Sequence, residues 1–174
     1  MKNKDYLKYR NGFKMKEEKR KNSGEKKKEE YTLGFAFDKE KKHIALIKKN
    51  HPEWQKGCFN GIGGHREKNE TPMQCMIREF EEETGYRYDD WNFFLLMKFN
   101  KALVNCYYAI MDLNKIKSIT DEKISIISID DILNLKIKMI SNLTWIIPMV
   151  IDFEKEPFNH HVIYHYNIYN LKNK

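Results

Sequence analysis

The stretch GGHREKNETPMQCMIREFEEETGY, residues Gly63 to Tyr86, decides the fold and the chemistry of this chain. It places five glutamates in the fourteen positions from Glu70 to Glu83, with Arg78 as the one basic residue among them. Like charges at neighbouring helical positions repel each other and weaken the helix. A cluster of this kind therefore indicates that a cation stabilises it.

The same stretch carries the start and stop signals of a helix. Thr71 can cap its N-terminus, Pro72 suits its first position, and Gly85 can end it. At about 100° per residue, the apolar side chains between these signals fall on one arc. They predict a stripe that faces the core, formed by Met73, Met76, Ile77 and Phe80.

Three carboxylates share a second face of this helix. Glu79, Glu82 and Glu83 stand at positions i, i+3 and i+4, where side chains are neighbours. Mg²⁺ prefers oxygen ligands and is commonly held by carboxylates together with substrate phosphates. Arg78 lies four residues before Glu82 and can also reach the loop that carries Glu70, so we expect it to orient carboxylates. The alternative is an acidic face that is only solvated.

The stretch resembles, at every fixed position, the signature box of the Nudix hydrolases. That box reads G, five residues, E, seven residues, R-E-U-x-E-E-x-G-U, where U is bulky and apolar. Its fixed positions are filled here by Gly64, Glu70, Arg78, Glu79, Phe80, Glu82, Glu83, Gly85 and Tyr86. The U positions are aromatic here, although they are usually aliphatic in the family. The turn before the helix carries Asn69 where the family often has glycine, and asparagine tolerates a positive φ.

The resemblance implies a fold and an activity. It implies a Nudix-type α/β/α sandwich with a mixed sheet, which hydrolyses nucleoside diphosphates linked to another group and uses Mg²⁺ or Mn²⁺. Carried over by position, Glu79, Glu82 and Glu83 would bind the metal together with the carbonyl of Gly64. Arg78 and Glu70 would form the supporting pair. The general base would be one of the helix glutamates or Glu122, because the family often places a glutamate in a later loop. A catalytically inactive ligand sensor would need a broken box, and no box position is broken.

Three further residues are candidates for substrate binding. The run KGCFNGIGGH resembles that of the oxidised-purine nucleotide hydrolases, and TDEKISIISIDDIL followed by SNLTWIIP is similar to the downstream layout of the same subgroup. This resemblance implies that Asn60 from the first segment and Asn142 from the second contact a purine edge. Phe35 or Trp145 would be the neighbouring ring. The leading expectation is a nucleoside triphosphate such as 8-oxo-dGTP, cleaved to the monophosphate and pyrophosphate. ADP-ribose, nucleotide sugars, dinucleoside polyphosphates and RNA 5′ ends are the alternatives. Asn60 as a turn residue and Asn142 as a helix cap are the structural interpretations.

Basic charge is concentrated in residues 1–30, which hold 12 of the 32 lysines and arginines against 6 acidic residues. The remaining residues carry 20 basic and 19 acidic side chains, so they do not have the charge of a nucleic-acid-binding module. We expect residues 1–30 to form a disordered tail that solubilises the chain or weakly contacts a polyanion such as RNA.

The sequence predicts a cytoplasmic protein with no membrane partner. It has an odd number of cysteines without a CxxC pair, no apolar run near the roughly 18 residues that span a bilayer, and no apolar stretch behind its first charges. It does not indicate an oligomeric state.

Alternating apolar residues predict strands on both sides of the box. These are YTLGFAFD, HIALIKK, a short CFNGI, FFLLMKF, NCYYAIMDL, ISIISI and HVIYHYNIY. DDILNL predicts a short helix, and ISNLTWIIPMVIDF predicts a longer one that contains Pro148. The expected Nudix domain covers residues 31–155, followed by a C-terminal extension over 156–174 that includes the last strand.

Overall fold

The structure is a computed structural model that describes residues 28–153 and 162–165. Seven strands form one sheet within these residues: β1 Glu29–Phe37, β2 His43–Lys48, β3 Phe59–Asn60, β4 Asn92–Lys98, β5 Ala102–Ile110, β6 Ile124–Ser128 and β7 Val162–His165. The α-helices of the same part are α1 Pro72–Thr84, α2 Ile129–Leu133 and α3 Leu143–Phe153. Two short 3₁₀ turns cover Glu53–Gln55 and Leu113–Lys115.

The sheet is mixed. Its strands lie in the order β3-β2-β1-β5-β4-β7, and β6 pairs with β2 outside this path. β1 runs parallel to β5 and β4 parallel to β7, whereas the remaining pairs are antiparallel. Isolated antiparallel bridges join Tyr31 to His65 and Gly34 to Ile62, so the loop after β3, where the box begins, lies beside β1.

Alternation along the strands divides the core between the two faces of the sheet. Phe35 and Leu46 face one cluster, whereas Ala36 and Ile47 face the other. Helix α1 contributes Met76 and Phe80 to the second cluster. Helices α2 and α3 cover the first cluster with Ile129, Ile132, Leu143, Ile146, Ile147 and Val150. The result is the α/β/α sandwich that the sequence predicts.

Helix α1 begins and ends at the predicted residues. The side chain of Thr71 accepts a hydrogen bond from the N–H of Gln74, and the side chain of Gln74 accepts one from the N–H of Thr71. This reciprocal capping box satisfies two donors that the first turn would otherwise leave open. Gly85 ends the helix at φ 68°, a left-handed conformation that favours glycine. Asn69 adopts φ 74°, which confirms the expected turn before the helix.

The structure moves some predicted boundaries. β1 begins at Glu29, two residues before the predicted strand, because its pairing with β5 extends past the apolar run. β7 pairs with β4, so the sheet continues beyond the expected domain end at residue 155. The predicted tail over residues 1–30 lies outside the described residues, except for its last three. No helix in the described ranges combines the length and the apolar character needed to cross a membrane.

The apolar stripe of α1 is wider than predicted. Met76 and Phe80 are fully buried, and Met73 and Ile77 are partly buried against the same cluster. Cys75 and Thr84 are also buried. Thr84 can be buried because its hydroxyl donates to the carbonyl of Phe80 at 2.6 Å.

Candidate active site

Arg78, in the middle of α1, is the centre of a carboxylate network. Its Nη2 and Nε donate to the two oxygens of Glu70 at 2.8 and 3.1 Å, which is a bidentate ion pair. Its Nη1 donates to Glu79 at 2.8 Å and to Glu82 at 2.9 Å, and Nη2 also donates to the carbonyl of His65 at 3.1 Å. The hydrogen bonds from Arg78 lower the pKa of Glu70 to about 2. The guanidinium therefore fixes the loop before the helix and orients two carboxylates of the box.

Glu79 lies directly against Gly64. A Cβ added to Gly64 would stand 2.5 Å from Cδ of Glu79 and 2.7 Å from its Oε1, so the carboxylate fills the space that a side chain would take. Burial raises the pKa of Glu79, whereas its bond to Arg78 lowers that pKa in part. The close approach explains why the box needs glycine at this position.

Glu83 is more deeply enclosed and lies on the inner side of the same face. It accepts the N–H of Gly63 at 3.2 Å, and the Nζ of Lys49 lies 4.0 Å from its other oxygen. Burial raises the pKa of Glu83 to about 7, and the ammonium of Lys49 opposes this rise. Glu82 is more exposed, with 58% of its side chain open to solvent. The three glutamates thus differ in burial although they share one face.

The donor set of this face fits a hard divalent cation. It consists of the carboxylates of Glu79, Glu82 and Glu83 together with the carbonyl of Gly64. This carbonyl accepts a hydrogen bond from the N–H of Thr32 at 2.9 Å and a long, weak one from the thiol of Cys75 at 4.0 Å. Burial raises the pKa values of Glu79 and Glu83, which means that the charged carboxylates are unfavourable here without a nearby cation. In residues 28–153 no three acidic, histidine or cysteine side chains are drawn together as a metal cluster. Arg78 and Lys49 supply the positive charge in this arrangement.

Glu122 belongs to the same site, although it lies far away in the sequence. It is buried, with 8% of its surface exposed. It forms an ion pair with Lys49 and accepts the backbone N–H groups of Asn50 and His51. Lys49 therefore lies between Glu122 and Glu83. A carboxylate in a loop of this kind is usually exposed, so the burial of Glu122 distinguishes it from an ordinary surface acid.

The two candidate asparagines have different surroundings. The side chain of Asn60 is engaged in its own turn, because its Nδ2 donates to Gln55 at 3.1 Å and its Oδ1 accepts the N–H of Gly61 at 2.8 Å. Asn142 precedes α3, and its amide lies against Met97 with Nδ2 4.0 Å from the sulfur. Its Oδ1 is buried and has no hydrogen-bond partner among the described residues. Such an atom normally finds a partner, so this acceptor is suited to a ligand.

The aromatic candidates lie in or against the core. Phe35 is completely buried and packs edge-to-face on Phe94, with ring centroids 6.1 Å apart. A fully buried ring offers no surface to a substrate, so the predicted contact through Phe35 is corrected to a core role. Trp145 is partly buried against the same cluster.

Sequence reasoning missed two side chains of this site. Lys49 follows β2 and continues its alternation on the side of Ala45 and Ile47, which is the side of α1; that alternation was the available signal. Cys75 lies beneath the network, with Sγ 3.7 Å from Nη2 of Arg78, and burial raises the pKa of its thiol to about 12. No sequence signal separates this buried cysteine from an ordinary core residue.

A family model agrees with this geometry. The model described as NUDIX domain matches residues 28–127, which is more than half of the chain. The chain belongs to the NUDIX family. It is a Nudix pyrophosphohydrolase, and Nudix enzymes generally use divalent metals. None of the curated proteins matches this Nudix sequence.

Solved MutT structures share the fold of this Nudix chain. A MutT from a study of the Aliivibrio salmonicida and Vibrio cholerae proteins is 21% identical with a TM-score of 0.62, and the match covers 72% of this chain and 98% of the other. The mutator MutT protein of Bacillus halodurans is 18% identical with a TM-score of 0.59, covering 80% and 91%. MutT from Methanosarcina mazei Go1 is 18% identical with a TM-score of 0.58, covering 77% and 99%. At these identities the likeness concerns the fold.

Proposed function

We propose that this Nudix enzyme hydrolyses a nucleoside polyphosphate with a bound divalent cation, Mg²⁺ or Mn²⁺. The favoured substrate is a nucleoside triphosphate, cleaved to the monophosphate and pyrophosphate. The observation that carries the proposal is the position of Glu79 and Glu83, which are enclosed against the Gly63–Gly64 turn and held there by cationic side chains. Such an arrangement supports phosphoryl chemistry better than a solvated acidic face does.

Each residue of the box has a distinct task in this proposal. Glu79, Glu82, Glu83 and the Gly64 carbonyl hold the cation. When bound, the cation neutralises phosphate oxygens and lowers the pKa of the attacking water. Arg78, fixed on Glu70, sets the orientation of Glu79 and Glu82. The water oxygen bonds to phosphorus as a P–O anhydride bond breaks, and a carboxylate of the site accepts the proton of the water.

Recognition of the nucleobase is proposed for Asn142. Its buried Oδ1 lacks a partner among the described residues, and an acceptor of this kind pairs with an N–H of a purine edge. Guanine also offers N–H groups, but 8-oxo-guanine carries an additional N–H at position 7, where guanine has only an acceptor. We propose 8-oxo-dGTP as the favoured triphosphate on the basis that Asn142 accepts from this group. Asn60 has a weaker case, because Gln55 and the N–H of Gly61 already engage its amide.

The proposal is tested with a nucleotide panel and identification of the products. The panel holds 8-oxo-dGTP, dGTP, ADP-ribose, NAD, diadenosine polyphosphates and RNA with a 5′ triphosphate, each measured with Mg²⁺, with Mn²⁺ and with a chelator. We expect metal-dependent release of pyrophosphate from a purine triphosphate. Turnover of ADP-ribose or of diadenosine polyphosphates alone would reject the triphosphate and identify that compound as the substrate. Failure to hydrolyse any member would reject the function.

A further inference from the structure

The carboxylate of Glu122 is occupied by donors from one short segment. Its Oε1 accepts the N–H groups of Asn50 and His51, and its Oε2 pairs with the ammonium of Lys49. Two lone pairs are available on each carboxylate oxygen, so Oε1 is filled. Only 11% of the side chain is exposed. All three donors come from consecutive residues that follow β2.

A general base needs a different environment. It must have a free lone pair within hydrogen-bond reach of the water that it deprotonates. Instead, Oε1 of Glu122 faces the backbone N–H groups of Asn50 and His51, and Oε2 faces the ammonium of Lys49 in the same segment. The hydrogen bonds therefore indicate a role in holding this segment.

A second contact joins the same two parts of the chain. The side chain of Asn50 donates from Nδ2 to the carbonyl of Asp121 at 3.1 Å and to its carboxylate at 3.2 Å. The segment is thus fixed to the Asp121–Glu122 loop by side-chain and backbone donors together. Lys49, at the start of this segment, has its Nζ 4.0 Å from Glu83 on α1. The position of the segment sets the position of this ammonium.

The anchored segment also begins the longer loop between β2 and β3. The N–H of Gly57 donates to the carbonyl of Lys49 at 2.8 Å, and the N–H of Lys49 donates to the carbonyl of Cys58 at 3.0 Å. These bonds close the loop at its base. Movement of Lys49 would therefore be transmitted to both ends of the loop.

We propose that Glu122 is a positioning residue that holds the Lys49–His51 segment so that the Lys49 ammonium stays beside Glu83, and that Glu122 is not the general base. The anchor itself rests on the hydrogen bonds above, whereas its effect on turnover rests on the proposed function. An amide at position 122 keeps an oxygen for the two N–H groups, loses the ion pair with Lys49, and cannot act as a base.

The test compares Glu122→Gln with Glu122→Ala, and uses Glu53→Gln as a control at an exposed carboxylate of the β2–β3 loop. Amide hydrogen exchange is measured at Asn50 and His51, with Gly85 on the far end of α1 as an internal reference. We expect Glu122→Ala to accelerate exchange at the two anchored amides by about tenfold and to leave Gly85 unchanged. We expect Glu122→Gln to retain most of the protection.

Turnover is measured on the same variants. We expect kcat of Glu122→Gln to stay within about threefold of the unsubstituted enzyme, whereas Glu122→Ala loses about 100-fold, because a displaced group near the reacting atoms has effects of this size. A loss of about 100-fold or more in Glu122→Gln with protected amides would identify a base and overturn the proposal. Unchanged amide exchange at Asn50 and His51 in Glu122→Ala would also overturn the proposal. Exchange at these amides that is as fast in Glu122→Gln as in Glu122→Ala would overturn it too. The exchange result stands even if no nucleotide is hydrolysed, so the two proposals fail separately.

Discussion

Replacement of Glu70 by glutamine tests the ion pair that organises the site. Glu70 accepts two hydrogen bonds from Arg78 and one from the N–H of Glu67 at 2.7 Å. Its side chain is 15% exposed, so solvent screens this pair only partly. A glutamine keeps the shape and an acceptor oxygen but loses the charge. We therefore expect a measurable loss of folding free energy with the same overall fold.

The size of the loss follows from the pKa of Glu70. The hydrogen bonds to Arg78 lower this pKa from 4.5 to about 2. Each unit corresponds to about 1.4 kcal/mol, which gives a ceiling of about 3 kcal/mol. Partial screening and the acceptor that glutamine retains reduce the expected loss to about 1–2 kcal/mol at pH 7. Because the folded pKa is depressed, this stabilisation is complete above about pH 4.5 and is lost as the pH falls through about 2.

The assay is urea unfolding of both proteins at several pH values between 7 and 2.5. The difference in free energy of unfolding should fall to less than half of its neutral value by about pH 3. Glu67→Gln serves as the control, since it removes an exposed carboxylate of the same turn. A difference that is absent at pH 7, or that stays constant down to pH 2.5, would refute the charge-based account.

Three further predictions concern single side chains of the site. Gly64→Ala should lower kcat/KM by about 100-fold while the melting temperature changes little, because the new Cβ would displace the Glu79 carboxylate; normal kcat/KM would contradict this. Asn142→Leu removes a buried acceptor that has no partner among the described residues, so the free energy of unfolding should stay unchanged or rise by about 1 kcal/mol. The same substitution should raise KM for the purine substrate about tenfold, and an unchanged KM would reject base recognition. Glu83→Gln should stabilise the metal-free protein at pH 8 by about 1–2 kcal/mol in urea unfolding. Burial raises the pKa of Glu83 from 4.5 to about 7, so stability is present below 4.5 and lost as the pH rises through 7; equal stability at pH 8 would contradict this.

The helix of the box could be predicted almost residue by residue. Thr71, Pro72 and Gly85 act through local backbone geometry, so the neighbouring residues alone are enough to predict where the helix begins and ends. The pairing of Arg78 with Glu70 was also predictable, because the two residues are only eight positions apart and Glu70 lies in the loop that leads directly into the helix. Strand order required the resemblance, since alternation identifies a strand but not its neighbour.

Long-range contacts could not be predicted in the same way. Lys49 and Glu122 are separated by 73 positions, and only the pairing of β2 with β6 brings them together. Phe35 was expected at the substrate because aromatic rings occur both in cores and in binding sites. Its complete burial depends on packing against Phe94, which no local pattern specifies. The start of β1 at Glu29 likewise depends on its partner β5.

The central claim is that the enclosed glutamates of α1 carry metal-dependent hydrolysis. Its most direct test is Mg²⁺-dependent release of pyrophosphate by Glu83→Gln and by Glu81→Gln. Glu81 is on the same helix but is partly exposed and pairs with Arg87, so it is a matched control. We predict that Glu83→Gln folds normally and loses at least about 100-fold in kcat, because charge stabilisation by a metal site amounts to several kcal/mol. Glu81→Gln should retain the activity of the unsubstituted enzyme. Equal turnover of the two variants would contradict the account.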